Sequence, residues 1–197
     1  MMTYDQLKET ALIQFAQLGF EGASLSVIAN EVGIKKQSIY THFKSKDDLY
    51  IQTFHEATDC EIDFVKQFIE DQGSLQLREV LSKFLTEYLE RFEKNNNMKF
   101  FMRTSFYPPV KHEEVIKMGS NKFVDRLESL FTALFEQNAD LLRADISPET
   151  AALAFLTMLD GLLVELIYGI PERLQKRSTQ SWLVFWRGIS IESGELQ

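Results

Sequence analysis

The side chains best suited to ligate a metal or attack a substrate are few and scattered: three histidines, His42, His55 and His112, and a single cysteine, Cys60. No His-x-x-x-His, Cys-x-x-Cys or glycine-rich phosphate loop joins them, so neither a zinc site nor a nucleotide cradle is spelled out. His55-Glu56 and Asp59-Cys60 fall about one turn apart on a helical stretch, and His112-Glu113-Glu114 forms a second cluster. Both patterns suit solvated faces, and no catalytic residue, metal site or cofactor is expected. A different chemistry is written between Val32 and Lys46. That stretch holds Lys35, Lys36, Lys44 and Lys46 and no carboxylate, in a chain whose formal net charge is −8. Charges are screened over about 8–10 Å at physiological salt, so the local field decides whether phosphates are attracted. An acidic body with one basic tip turns that tip toward a polyanion and disfavours adsorption elsewhere.

The elements that must position these lysines read as helices throughout, and the fold class expected is all-α, with about nine helices. Leu7, Ala11, Phe15 and Leu18 recur at three-to-four spacing and give a first amphipathic helix closed by Gly19. Ser24 suits the cap of a short helix from Leu25 to Val32. Gly33 breaks it, and a second short helix is expected from Lys35 to His42. Such a pair crosses tightly only with small and apolar residues at fixed places. Ala29 permits the close approach, Ile28, Val32, Ile34 and Ile39 supply the contacts, and Gly33 supplies the turn. This is a helix-turn-helix pattern. Ser45-Lys46-Asp47-Asp48 reads as a capping box for a long helix to about Asp71. Further helices are expected from Gly73-Ser74 to Lys94, Met98 to Phe106, Glu113 to Met118, Lys122 to Asn138, Ser147 to Tyr168 and Thr179 to about Ile191. Ser147-Pro148 is a strong start, and Pro171 bars continuation of the helix before it.

The run Phe15…Gly19-Phe20-Glu21-Gly22-Ala23-Ser24…Ile28-Ala29…Val32-Gly33-Ile34…Ile39-Tyr40-Thr41-His42-Phe43-Lys44-Ser45-Lys46-Asp47-Asp48-Leu49 resembles the N-terminal domain of the TetR family of bacterial transcriptional regulators. The likeness covers roughly residues 5–50; the rest agrees only in helix number and order. Lys35 and Lys36 open the reading helix where small polar residues are commoner. The resemblance implies a helix-turn-helix domain over residues 1–47 and a helical effector-binding and dimerisation domain over 48–197. It also implies that the second short helix lies in the major groove, with Lys36, Gln37 and Ser38 facing bases and Lys35 close behind. Gln pairs bidentately with adenine and Lys donates to guanine. Tyr40, Thr41 and His42 would then face backbone phosphates, and Lys46 would bring a cation and a helix start to a phosphate together. Ser24 and Ser26 would do the same at the preceding helix. Each has a plainer reading: Tyr40 as packing, His42 and Lys44 as solvated groups, Ser24 as a cap.

In the remaining chain, ten of the 16 phenylalanines lie between Phe64 and Phe135. They are read either as ordinary core or, as the resemblance implies, as an apolar effector cavity. The residues put forward for that cavity are Phe64 and Phe68, Phe84 and Tyr88, then Phe101, Met102, Phe106 and Tyr107. Phe123, Phe155, Met158 and Leu159 complete its apolar part. Asp160 and Glu165 sit inside the nearly apolar run Ala151–Ile170, roughly 140° apart around a helix. A carboxylate there is either paired within the protein or, Glu165 above all, faces the cavity and receives a cationic effector.

Ala154, Gly161 and Tyr168 lie seven apart, and Trp182, Phe185, Trp186 and Ile189 share one face of the last helix. Both stripes suggest a homodimer interface between the last two long helices, as the resemblance also implies. A twofold dimer sets its reading helices about 34–36 Å apart and demands a palindromic duplex operator. The function expected is a ligand-responsive repressor taking a small apolar or amphipathic effector. An activator of the same fold, or a ligand-binding module that has lost DNA binding, are the alternatives.

The run Ala151–Ile170 has the length of a bilayer span, but its two carboxylates favour a buried helix of a soluble protein. The first residues lack the basic flank and apolar run of a signal peptide. With one cysteine and no disulfide framework, a cytoplasmic location is expected.

Overall fold

The computed structural model describes residues 2–73 and 75–191, with side chains from Tyr4 onward. Among them are nine α-helices: α1 Met2–Gly22, α2 Leu25–Val32, α3 Lys36–Ile39, α4 Lys46–Glu70, α5 Leu77–Lys94, α6 Asn96–Phe106, α7 Glu113–Glu136, α8 Pro148–Tyr168 and α9 Pro171–Ile189. Short 3-10 helices occupy Val110–His112 and Ala139–Leu141. The all-α expectation holds. Several boundaries differ from it. α7 is one helix where two were expected, because Gly119 lies inside it against Phe54, leaving no room for a side chain and giving no reason to break. α9 begins at Pro171, whose ring ends the preceding helix and also serves as the first residue of the next. α3 closes at Ile39, and a turn carries the chain through His42. The start expected at Gly73-Ser74 comes later, at Leu77; Ser74 itself lies outside the described residues.

The chain forms two compact units, one comprising the residues through Phe64 with Arg91–Phe123, the other Val65–Glu90 with the residues from Val124 onward. Neither ends at the division expected after residue 47, because the start of α4 completes the core under the N-terminal helices. Leu7, Ala11 and Phe15 of α1 are fully buried, and the Phe15 ring meets Tyr50 of α4 edge-on at 4.8 Å and Phe100 of α6 at 5.9 Å. Tyr50 shares a hydrogen bond with Thr104 at 3.0 Å.

In the second unit, Phe84 and Tyr88 of α5, Phe131 of α7 and Phe155 of α8 are fully buried. Phe84 contacts the other three rings at centroid separations of 5.0–6.2 Å. α8 is long and apolar enough, by length and composition alone, to cross a membrane. It buries Phe155, Leu156, Leu159, Leu162 and Leu163 within its own unit, which is the behaviour of a core helix. The last turn of α9 is pinned by Arg143 N–H donating to the Ile189 carbonyl at 2.8 Å and Ile191 N–H donating to Leu141 at 3.1 Å.

Candidate nucleic-acid interface

The helix-turn-helix is held by local chemistry at each joint. Ser24 caps α2, its hydroxyl accepting the Ser26 N–H at 3.3 Å. Gly33 closes α2 with φ 79°, a left-handed conformation that suits glycine, and the Ile34 N–H then reaches the Ala29 carbonyl at 2.9 Å. Ile28, Ala29, Ile39 and Phe43 are buried, so the two short helices are fastened from beneath. This leaves Lys35, Lys36 and Gln37 exposed at the start of α3, with Ser38 half-buried beside them. Tyr40 is 51% exposed, which removes packing as its main role. Thr41 turns its hydroxyl back to the Ser38 carbonyl at 2.7 Å. His42 is exposed, with its ring 5.9 Å from Tyr4, whose own ring stacks on Phe43 at 5.1 Å. Ser26 is exposed and Ser24 half-buried.

The carboxylates that end the acid-free stretch are both engaged. Asp48 accepts from Gln52 Nε2 at 2.8 Å and from the Lys44 N–H at 2.7 Å, and these two bonds hold its carboxyl below the usual range. The Ser45 hydroxyl accepts the Asp48 N–H at 3.1 Å, giving the expected cap of α4. Asp47 is held low chiefly by Lys111, whose ammonium lies 2.7 Å away, and also by His112 at 2.8 Å, against partial burial. Asp47 is thus offset by Lys111, whereas Asp48, bonded only to neutral donors, keeps its charge at the edge of the lysine tip. Lys46 folds back, its ammonium 4.7 Å from the Phe20 ring centre and 3.4 Å from the Glu21 carbonyl. A phosphate contact requires it to swing outward from the end of α1.

His112 corrects an expectation: it is 8% exposed, not part of a solvated face. The reason is aromatic, since its ring sits edge-on to Phe20 at 5.1 Å and beside Tyr50 at 6.0 Å. His55, Glu56, Asp59 and Cys60 do lie on an exposed face, with Glu56 paired to Lys8 and Asp59 to Lys122. No group of three or more metal-ligating side chains occurs among the described residues.

Two polar anchors of the first unit escaped the sequence reading. Glu61 is fully buried and accepts from Asn97 Nδ2 at 2.8 Å and from Arg91 Nη2 at 3.0 Å, while the Arg91 guanidinium covers Phe64 at 4.1 Å. Its signal was present: Phe54, Ala57, Thr58, Glu61 and Val65 share one buried face of α4, so an acid stood at a core position. Arg103 of α6 donates to the Gln17 carbonyl at 2.9 Å, freed where α1 kinks at Gly19 (φ 70°). Nothing in the sequence around Arg103 marks that reach.

The residues put forward for an effector cavity are distributed between the units. In the first, Phe101 stacks between Phe54 and Phe123, Met102 is buried, and Phe106 and Tyr107 are 40% and 57% exposed. In the second, Phe68, Phe84, Tyr88, Phe155 and Leu159 are buried, and Met158 lines an open groove between α8 and α9. Glu165 takes the paired alternative. Its carboxylate is buried, one oxygen receiving Arg173 Nε and the other lying 2.5 Å from Arg177 Nη1. That leaves no free oxygen for a cationic ligand. Asp160 remains on an exposed position, with its carboxyl raised by desolvation first and by Glu128 second.

Of the residues assigned to a dimer interface, Ala154, Gly161 and Tyr168 are exposed along α8, while Trp182 and Phe185 are half-buried. Trp186 and Ile189 are 3% and 5% exposed and belong to the core of their own unit. Leu153, Val164 and Val184, which the sequence reading did not name, extend the exposed apolar surface.

Residues 7–53 match the model of the bacterial regulatory proteins, tetR family. That match takes in α2, α3 and the start of α4, so the N-terminal part of the chain is similar to the DNA-binding domain of the tetR family. Over 112 residues it is 28% identical to the biofilm operon icaADBC negative transcriptional regulator IcaR of Staphylococcus epidermidis, covering 56% of this chain and 58% of that one. The Staphylococcus aureus IcaR is 31% identical over 88 residues, 43% of this chain and 45% of that one. The chain thus spans about half the length of these curated relatives. Among solved structures, a TetR-family regulator from Mesorhizobium loti superposes with a TM-score of 0.74 at 16% identity, over 96% of this chain and 98% of that one. FadR of Bacillus subtilis, solved with stearoyl-CoA, gives 0.66 at 17%, over 94% and 99%. At these identities the superpositions establish the fold: a helix-turn-helix head joined to a helical body, as in TetR-family transcriptional regulators.

Proposed function

We propose that this protein is a sequence-specific DNA-binding transcriptional repressor that acts as a homodimer on a palindromic operator. The observation that carries the reading is the exposed, acid-free tip inside the tetR-family match, with Lys35, Lys36 and Gln37 opening α3 and the adjacent Asp47 already ion-paired to Lys111. A cationic surface with hydrogen-bonding side chains at a helix start suits the edge of a duplex groove and little else. Residues 1–47 would read the operator and 48–197 would sense and dimerise. The exposed stripe Ala154, Gly161 and Tyr168 with Leu153, Val164 and Val184 supports pairing of α8 and α9 with a second copy. Trp182 and Phe185 would border it. Repression is favoured because the IcaR relatives are negative regulators.

The effector is an apolar or amphipathic small molecule. The body is rich in phenylalanine, FadR, which this chain resembles in fold, was solved with stearoyl-CoA, and Glu165 is committed to arginines of its own chain. The site of action is the cytoplasm, where the operator is. The test is capture of genomic fragments from the source organism by the purified protein, followed by footprinting. Two symmetric half-sites about one duplex turn apart are expected. Binding with no sequence preference, or protection of a single half-site by a monomer, would contradict the reading.

A further inference from the structure

We propose that Arg103 of α6 is a positioning residue for the DNA-reading head, fixing the joint at which α1 turns toward α2; the inference rests on the DNA-binding reading above. Every contact involved lies within the first unit. Gly19 interrupts α1 with φ 70° and ψ −179°. A helix carbonyl shortly before such a break loses its regular donor one turn on. Arg103 supplies a replacement: its Nη1 donates to the Gln17 carbonyl at 2.9 Å and to the Ala16 carbonyl at 3.3 Å. The guanidinium also packs against Gly19 itself, where an added Cβ would sit 3.1 Å from Nη2 and 3.3 Å from Nε. A side chain from α6 thus does for α1 what a local capping residue does for a self-contained helix end.

The turn of α6 that carries Arg103 is firmly seated. Phe100 is buried against Phe15 of α1 and Tyr50 of α4, and Thr104 shares its buried hydrogen bond with Tyr50 at 3.0 Å. Arg103 therefore acts from a fixed base. Immediately after the kink comes the edge assigned to phosphate contacts. The Phe20 ring lies under the Lys46 ammonium, the Glu21 carbonyl accepts from that ammonium at 3.4 Å, and Ser24 caps α2. A loosened joint lets Phe20, Glu21 and Ser24 sample more orientations. Whichever of these suits a duplex must then be selected at an entropic cost. The base-facing side chains are held differently, since Ile28, Ile39 and Phe43 fasten α3 from beneath. Arg103 thus acts on affinity through Lys46 and leaves base discrimination intact.

The full chain is titrated with operator and scrambled duplexes as wild type, Arg103→Met, Lys46→Ala and the double variant. Methionine keeps a long flexible stem and removes the donor. Arg103→Met is expected to raise the Kd of both duplexes about fivefold, the size of a charge-assisted bond discounted for exposure. In the Lys46→Ala background the same change is expected to cost less than about twofold, because both substitutions act on one contact. A loss that persists undiminished after Lys46→Ala marks a long-range charge effect and overturns the proposal. Loss of discrimination between the duplexes, or tighter binding by Arg103→Met, overturns it as well. A DNA-free readout stands beside these: hydrogen exchange of the backbone amides. Those of residues 20–26 are expected to exchange about fivefold faster in Arg103→Met, while those of α8 stay at the wild-type rate. Unchanged exchange over 20–26, or equal acceleration in α8, overturns the proposal whether or not the protein binds DNA. Failure of wild type to select any duplex strikes the repressor reading instead.

Discussion

Glu165→Ala removes a buried carboxylate from the most apolar helix of the chain, and the structure sets the size of the loss. The side chain is 4% exposed and its two oxygens meet Arg173 and Arg177, which are 49% and 59% exposed. A charge-assisted bond contributes about 1.5–3 kcal/mol when desolvated. Because the arginine partners are half in water, about 1 kcal/mol for each is the defensible figure. Loss of one buried methylene adds about 0.8 kcal/mol, for a total near 3 kcal/mol. Glu165→Gln keeps the shape and one acceptor and should cost about 1–2 kcal/mol. For a chain of 197 residues, about 3 kcal/mol lowers the melting temperature by roughly 6–12 °C. Denaturant unfolding gives the free energies, and double-mutant cycles with Arg173→Ala and Arg177→Ala isolate the couplings. Additive cycles, or a Glu165→Ala variant within about 0.5 kcal/mol of wild type, would refute the clamp. A loss confined to effector binding, with stability intact, would restore the ligand role that the pairing displaces.

Two further substitutions follow from particular contacts. Gly119→Ala, which in an open helix would stabilise, should here destabilise by about 1–3 kcal/mol, because its methyl would lie 2.6 Å from the buried ring of Phe54; thermal melting decides the sign. Asp160→Asn should stabilise at neutral pH by about 0.5 kcal/mol. The carboxyl is raised by desolvation first and by Glu128 second, so the folded chain binds its proton more readily than the unfolded one. Stability from this group therefore grows as pH falls through the raised folded value toward 3.8, and Asp160→Asn should remove that component of the pH dependence.

Much of the head was legible because its determinants are local. Ser24, Gly33 and Ser45 act on backbone groups within four residues of themselves, and spacing alone reveals them. The lysines of the tip were legible for the same reason, since exposure there follows from the buried positions of Ile28, Ile39 and Phe43 between them. What was missed depends on distant partners. His112 is buried by Phe20 and Tyr50, far away in sequence, and its own neighbours Lys111, Glu113 and Glu114 predict solvent. Arg103 finds carbonyls freed by a kink at Gly19, more than 80 residues earlier. The continuity of α7 through Gly119 depends on a ring from another helix. In α9, the pattern of Trp182, Phe185, Trp186 and Ile189 marked a buried face correctly, but periodicity does not say whether a face is buried by its own unit or by a second copy. Trp186 and Ile189 belong to the former.

The central claim is a division of labour at the tip: Lys36 and Gln37 read bases while Lys46 holds a phosphate. Affinities of wild type, Lys36→Ala, Gln37→Ala and Lys46→Ala for operator and scrambled duplexes, across a salt series, test it directly. Lys36→Ala and Gln37→Ala should each lose about 1–3 kcal/mol of discrimination between the duplexes. Lys46→Ala should weaken both equally and reduce the salt slope by about one. Three variants with indistinguishable profiles, or a wild type that binds both duplexes alike, would contradict the account.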